Sequence, residues 1–226
     1  MSHSWSEHKI LTHLPAAREL YRAQSDPSVP FPAPRFLSVW LSEICNLDCT
    51  YCYFSETNYD KSHQFIDTQA FLRWLQEIRD FGAESLEFSG GGEPTLPRDF
   101  PLIFEQAFQM GYHLGLITHG CNNMPIGPLA SMFKYGRCGL DAATAETHDL
   151  IKRNKKKDYW FHKAIENIKE LVRLRDAKAE KDFTVGIKIV LNSINFHELG
   201  AMIDLARELR VDYIQIKREH SSNNDL

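Results

Sequence analysis

The chain reads as an α/β protein built on six parallel strands, an incomplete (β/α)6 barrel open at one side. Three features carry that expectation. Short apolar runs of strand length alternate with longer segments whose apolar residues recur at helical spacing. Six such strand runs occur, fewer than the eight that close a full ring. Within several runs apolar and polar residues alternate, which gives one face to covering helices and the other to a polar interior.

In chain order, residues 6–24 have helical character and lead into SDPSVPFPAP, whose four prolines make an extended linker. FLSVWLS (36–42) is the first strand. DTQAFLRWLQEIRDF (67–81) is a helix behind an Asp cap, followed by the strand SLEFSG (85–90). A helix over about 99–110, the strand HLGLIT (113–118), a short helix at PLASMFKY (128–135) and the strand GRCGL (136–140) continue the series. Then come a helix from Tyr159 to Asp176, the strand FTVGIKIVL (183–191), a helix from Phe196 to Leu209 and the strand DYIQIK (212–217). The expected organisation is an N-terminal helix and linker over 1–35, a core domain over 36–220 and a polar tail at 221–226. The tail follows the sixth strand with no sixth helix, so a truncation there is expected.

Length 226, 43% hydrophobic content and a net charge near −4 describe one globular domain and argue against a polyanion binder such as a nucleic-acid protein. No apolar run approaches the ~20 residues of a membrane span, and the N-terminus has no secretory pattern. A cytoplasmic location follows. The run KRNKKK (152–157), including Lys155, Lys156 and Lys157, reads as a solvated face.

Three of the five cysteines fall within eight positions, in CNLDCTYC at 45–52. A reducing compartment disfavours disulfides and turns such a cluster toward metal or redox chemistry. Cys45, Cys49 and Cys52 follow the first strand, at the end of the sheet where α/β proteins place their sites. Two metal readings stay open. With His63 the set makes a tetrahedral Cys3His zinc site. Alternatively three thiolates hold an iron–sulfur cubane and leave one iron open to a small molecule. Cys121 and Cys138 read as packing residues.

The C-x3-C-x-aromatic-C pattern, with Tyr51 before the last cysteine, resembles the signature of radical S-adenosylmethionine (radical SAM) enzymes. SGGGEPTLP (89–97), with Gly91, Gly92, Glu93 and Pro94, matches the family's GGEP element. LITHG (116–120) stands where relatives have T-N-G, and GLDAATAETHDLIKR (139–153) is similar to S-L-D-A-x-T-x-E-x-H-D-x-I-R of the fourth strand and its following loop. The resemblance runs over about 36–217 in matching order, and it implies a TIM-like partial barrel.

It also implies a [4Fe-4S] cluster on Cys45, Cys49 and Cys52, with SAM chelated at the open iron and reductively cleaved to a 5'-deoxyadenosyl radical that takes hydrogen from substrate. Tyr51, with Tyr53 and Phe54, would shield the cluster and border the adenine. Gly91 and Gly92 would let backbone groups approach the SAM amino group, while Glu93 fixes the turn or adds an acceptor. A glycine-rich turn without ligand is the plain alternative. Arg153 would pair with the SAM carboxylate. Gly139 and His119 depart from the family pattern, so Thr118 or Asn192 would contact the ribose instead. A flavodoxin- or ferredoxin-type protein would supply the electron. The rivals are a zinc-stabilised binding protein and an inactive truncated member of the same family.

Strand alternation turns Leu86, Phe88, Ile187, Ile189, Leu191, Ile214 and Ile216 outward to the helices. Ser85, Glu87, Ser89, Lys188, Asn192, Tyr213, Gln215 and Lys217 then face inward. So polar a lining implies a polar substrate, such as a sugar, a nucleotide or a peptide side chain, contacted by Lys188, Gln215 and Lys217. The competing expectation is that Glu87 and the lysines neutralise one another.

Overall fold

The computed structural model describes residues 14–56, 65–123, 126–153, 158–178 and 182–219. His63, Lys155, Lys156, Lys157, the tail at 221–226 and the first part of the expected N-terminal helix lie outside them. The elements are α1 (Leu14–Ser25), β1 (Phe36–Trp40), α2 (Tyr53–Glu56), α3 (Thr68–Phe81), β2 (Ser85–Ser89), α4 (Phe100–Gln109) and β3 (His113–Thr118). They continue with a 3-10 turn (Gly127–Met132), β4 (Phe133–Gly139), α5 (Ala145–Lys152), α6 (Tyr159–Ala177) and β5 (Thr184–Leu191). A second 3-10 turn (Phe196–Glu198), α7 (Leu199–Glu208) and β6 (Tyr213–Arg218) complete the order.

All six strands form one parallel sheet in sequence order, β1 to β6. The two end strands are not paired with each other, so the ring is open, as expected. Parallel crossovers that always step to the next strand wind in one sense, which places their helices on one face of the sheet. The alternation expected for that face is present: Leu86, Phe88, Ile187 and Ile189 are buried among the helices. A chain of aromatic rings forms the centre. Phe88, Phe104 and Phe133 follow one another at centroid distances of 5.3 and 4.9 Å, and Phe183 stacks on Phe133 at 5.6 Å. Burying each such ring contributes roughly 1.5–3 kcal/mol.

Local signals explain several boundaries. The Asp67 carboxylate accepts the Ala70 N–H at 2.6 Å and caps α3, which ends at Gly82 with φ 123°, a conformation that glycine adopts without strain.

Three expectations need correction. The fourth strand starts at Phe133, inside the segment expected to be helical, because Phe133 packs into the core and a register shift next to Lys134 turns Tyr135 to the inner face. The stretch after β4, expected to be loop, contains α5. Its cap is Thr144, whose hydroxyl accepts the Thr147 N–H at 3.3 Å. Glu198 braces the same end by accepting from Ala143 N–H at 2.7 Å and from the Thr144 and Thr147 hydroxyls at 2.7 and 2.5 Å. Finally, Ile216 is 46% exposed on the last strand, with no described helix over it.

Candidate active site

The loops that leave the C-terminal ends of the strands are tied together by hydrogen bonds. β1 runs into the cysteine loop and β2 into the glycine turn, and the two meet through Gly92 N–H to Ser42 C=O (3.1 Å) and Glu93 N–H to Ile44 C=O (2.9 Å). Their approach is so close that a Cβ on Gly92 would lie 2.3 Å from the Ile44 carbonyl oxygen. Gly92 is therefore required by the packing of two backbones, and its N–H is already used. At Gly91 a Cβ would instead meet the Phe54 ring at 2.9 Å.

Glu93 is 2% exposed and works as a brace. One carboxylate oxygen accepts from the Thr95 and Thr118 hydroxyls at 2.6 and 2.7 Å, and the other accepts the His119 N–H at 3.0 Å. Thr118, expected to contact the ribose, is 3% exposed and also accepts the Gly120 N–H, so its hydroxyl takes part in this brace. His119 Nδ1 accepts the Cys121 N–H at 2.8 Å, which puts the ring proton on Nε2, between Asn46 Oδ1 (2.9 Å) and Glu93 (3.2 Å). Burial lowers the His119 pKa and keeps the ring neutral, against the pull of Glu93.

Behind the cysteine loop stands a buried charged cluster. Lys152, 1% exposed, donates to Asp141 Oδ2 at 2.5 Å and to the Tyr51 hydroxyl at 3.0 Å. Tyr51 donates to the same carboxylate oxygen at 2.5 Å, and Val190 N–H donates to the other at 2.6 Å. Burial disfavours both charges, yet each holds the other ionised: the Asp141 pKa stays below its ordinary value and that of Lys152 well above. The end of α5 also holds the loop directly, through Asp48 N–H to Lys152 C=O (3.3 Å) and Thr50 N–H to Ile151 C=O (2.8 Å).

Arg153, by contrast, closes α5 in a left-handed conformation (φ 47°), with its side chain 57% exposed and 3.8 Å from Asp48. The cation that the fold buries here is Lys152, where Arg153 was expected to act. The motif held the signal, because counting from Asp141 its final Arg falls on position 152.

The three cysteines are free and partly exposed, and Cys45 and Cys49 pack against the core. Burial first, and then the charges of Glu93 and the other two cysteines, push the Cys45 pKa up to about 12. Burial also raises that of Cys49, against the pull of Lys152. Three soft donors that repel one another as thiolates suit a cationic metal group. Among the described residues no three His, Cys, Asp or Glu side chains gather where one ion could sit. His63, the fourth ligand that a tetrahedral zinc site would need, lies outside the described residues, and three thiolates that each bind a different iron are what a cubane requires.

Of the other expected residues, Asn192 is 8% exposed, with Oδ1 accepting the Ile194 N–H at 2.9 Å and Nδ2 without a partner. Lys188 and Gln215 are half-buried side by side on β5 and β6, and Lys217 is exposed. Glu87 is 5% exposed and accepts the Tyr135 hydroxyl at 2.5 Å, with Arg137 at 3.7 Å. No described lysine forms an ion pair with it, so the expected neutralisation by lysines gives way to Arg137 and Tyr135, which the sequence reading missed.

Fold and site together define an open-barrel α/β protein with a thiol-rich loop at the C-terminal end of its sheet. The family model described as the Radical SAM superfamily matches residues 41–206, and the chain belongs to that superfamily of enzymes. It is 29% identical over 194 residues to a PqqA peptide cyclase of Methylorubrum populi (strain ATCC BAA-705 / NCIMB 13946 / BJ001), covering 84% of this chain and 47% of that protein. Streptococcus suis SuiB bound to precursor peptide SuiA superimposes with a TM-score of 0.69 at 15% identity, over 95% of this chain and 46% of SuiB. Native anSMEcpe with bound AdoMet gives 0.63 at 19% identity, over 84% of this chain and 54% of the other. The chain thus spans about half the length of the relatives it matches. Among the described residues no helix is long and apolar enough to cross a membrane.

Proposed function

We propose that this chain holds a [4Fe-4S] cluster on Cys45, Cys49 and Cys52 with SAM beside it. The observation that carries the proposal is the loop of three free thiols, pinned by the glycine turn on one side and by α5 on the other. When bound and reduced by one electron, cluster and SAM supply a 5'-deoxyadenosyl radical that abstracts hydrogen from a polar substrate. The chain's own residues do the rest. Gly92 brings the β2 turn onto the cysteine loop, Glu93 and His119 lock the neighbouring loops, and Lys152 with Asp141 fixes Tyr51. Gly91 and the unpartnered Asn192 amide are the groups we assign to SAM.

Two relatives named above carry a peptide in their names, a PqqA peptide cyclase and SuiB bound to SuiA, and a peptide is accordingly the substrate class we favour. The free thiols suit a reducing, cytoplasmic setting with a flavodoxin- or ferredoxin-type electron donor. The test is to reconstitute the protein anaerobically, reduce it with dithionite, add SAM and measure 5'-deoxyadenosine beside a Cys49→Ala control. Product that depends on Cys49 supports the reading. A full iron and sulfide complement without product overturns it.

A further inference from the structure

The inner wall of the sheet carries charge that the cysteine site does not use. On it the polar side chains are packed in a fixed arrangement. The Tyr135 ring lies across Gly115 and the Tyr213 ring across Gly186, where a Cβ would come within 2.2 and 2.3 Å of the ring carbons. These two glycines make room for a floor of two tyrosines. Tyr135 donates to Glu87 at 2.5 Å, and Arg137, aligned with Gly186 on the neighbouring strand, sets Nη2 3.7 Å from the same carboxylate.

Arg137 is 8% exposed and its Nε is buried without a hydrogen-bond partner. Two positions along β5 from Gly186, Lys188 stands beside Gln215 of β6, whose Oε1 is also buried without a partner. Lys188 makes no ion pair with a described carboxylate. Asp141 favours its charge, and Asp141 is already held by Lys152 at 2.5 Å. Glu87 balances Arg137, and Lys188 has no such partner among the described carboxylates.

We propose that this inner wall receives a carboxylate group of the substrate, with the Arg137 guanidinium and Lys188 Nζ as its donors. The inference rests on the wall being the substrate surface, as the proposed function has it, and it names the chemistry of that surface. A buried guanidinium edge offers directed N–H groups that match a planar carboxylate. A singly charged group also matches the small surplus, since a dianion would leave uncompensated charge in a wall floored by tyrosine rings. Burial, Lys217 and Arg137 together lower the Lys188 pKa, so an anion seated there relieves the cost of its charge.

The experiment is calorimetric titration of the reconstituted protein with N-acetyl-L-glutamate α-methylamide, with the neutral glutamine counterpart and with N-acetyl-O-phosphoserine methylamide. We expect the acid to bind at least about tenfold more tightly than the neutral amide, with Lys188→Gln erasing the preference and Lys188→Arg keeping it. Arg137→Lys, which retains the partner of Glu87, should weaken the acid while leaving the neutral amide unchanged. Equal binding of acid and amide, tighter binding of the phosphate compound, or no heat from any of the three overturns the proposal. Iron content and 5'-deoxyadenosine formation measured on the same samples separate this outcome from failure of the cofactor reading, because discrimination at the wall does not require SAM cleavage.

Discussion

Replacing Lys152 by methionine tests the charge cluster behind the cysteine loop. Methionine keeps most of the stem and deletes the cation, so a fully buried Asp141 is left with only Tyr51 and Val190 as donors. Stripping one member from a buried pair costs about 3–5 kcal/mol. Because those two donors remain, the lower end, about 3 kcal/mol, is expected. In the native chain the Asp141 pKa lies below its ordinary value, since Lys152 and the hydrogen bonds outweigh burial. The stabilisation is therefore complete above the ordinary carboxylate pKa and lost as pH falls through the folded one. In Lys152→Met burial prevails, the Asp141 pKa moves up, and protonation relieves the buried charge as pH falls. The cost of the substitution should be smaller at about pH 5.5 than at about pH 8. Urea unfolding of the metal-free, reduced protein at both values reads this directly. Removing both charges in Asp141→Asn/Lys152→Met should recover most of the loss. A cost below about 1 kcal/mol, a cost that does not change with pH, or a double variant as unstable as the sum of the singles would refute the reasoning.

Gly92→Ala places a Cβ 2.3 Å from the Ile44 carbonyl oxygen and should lower stability by about 1–3 kcal/mol, with reduced iron incorporation on reconstitution because the cysteine loop is displaced; thermal unfolding and iron analysis check it. His148 is fully buried, and burial first, then Lys152, lower its pKa to about 4. Unfolding stability should therefore fall as pH drops below the unfolded value near 6.5, by about 1 kcal/mol for the first full unit. His148→Gln should flatten that part of the profile. Glu198→Gln weakens the three contacts that hold the start of α5 and should cost about 1–3 kcal/mol, measured by denaturant midpoint.

Much of this protein was legible without coordinates. The strand and helix series could be read because periods of two and of 3.6 residues are local properties of the chain. The cysteine loop was legible for the same reason, since three soft donors within eight residues stay in one loop wherever the chain goes. The glycine turn was visible too, although the reason for Gly92 was not. Its constraint comes from the backbone at Ile44, nearly fifty positions earlier in the sequence.

Tertiary structure alone decided which charges are buried and what they meet. Lys152 and Arg153 are adjacent, yet Lys152 is the last residue of α5 and turns to Asp141, while Arg153 reverses the chain in a left-handed turn and points to solvent. Glycines at 115 and 186 acquire meaning only when tyrosines from neighbouring strands lie across them. Glu87 finds Arg137 and Tyr135 rather than the lysines because strand register, not sequence distance, sets which side chains share the inner wall. The sequence by itself determined the fold class and the donors of the thiol loop, since both follow from local spacing. The pairing of its buried charges was decided by packing, because a charge can be buried only where a partner from another strand or helix reaches it.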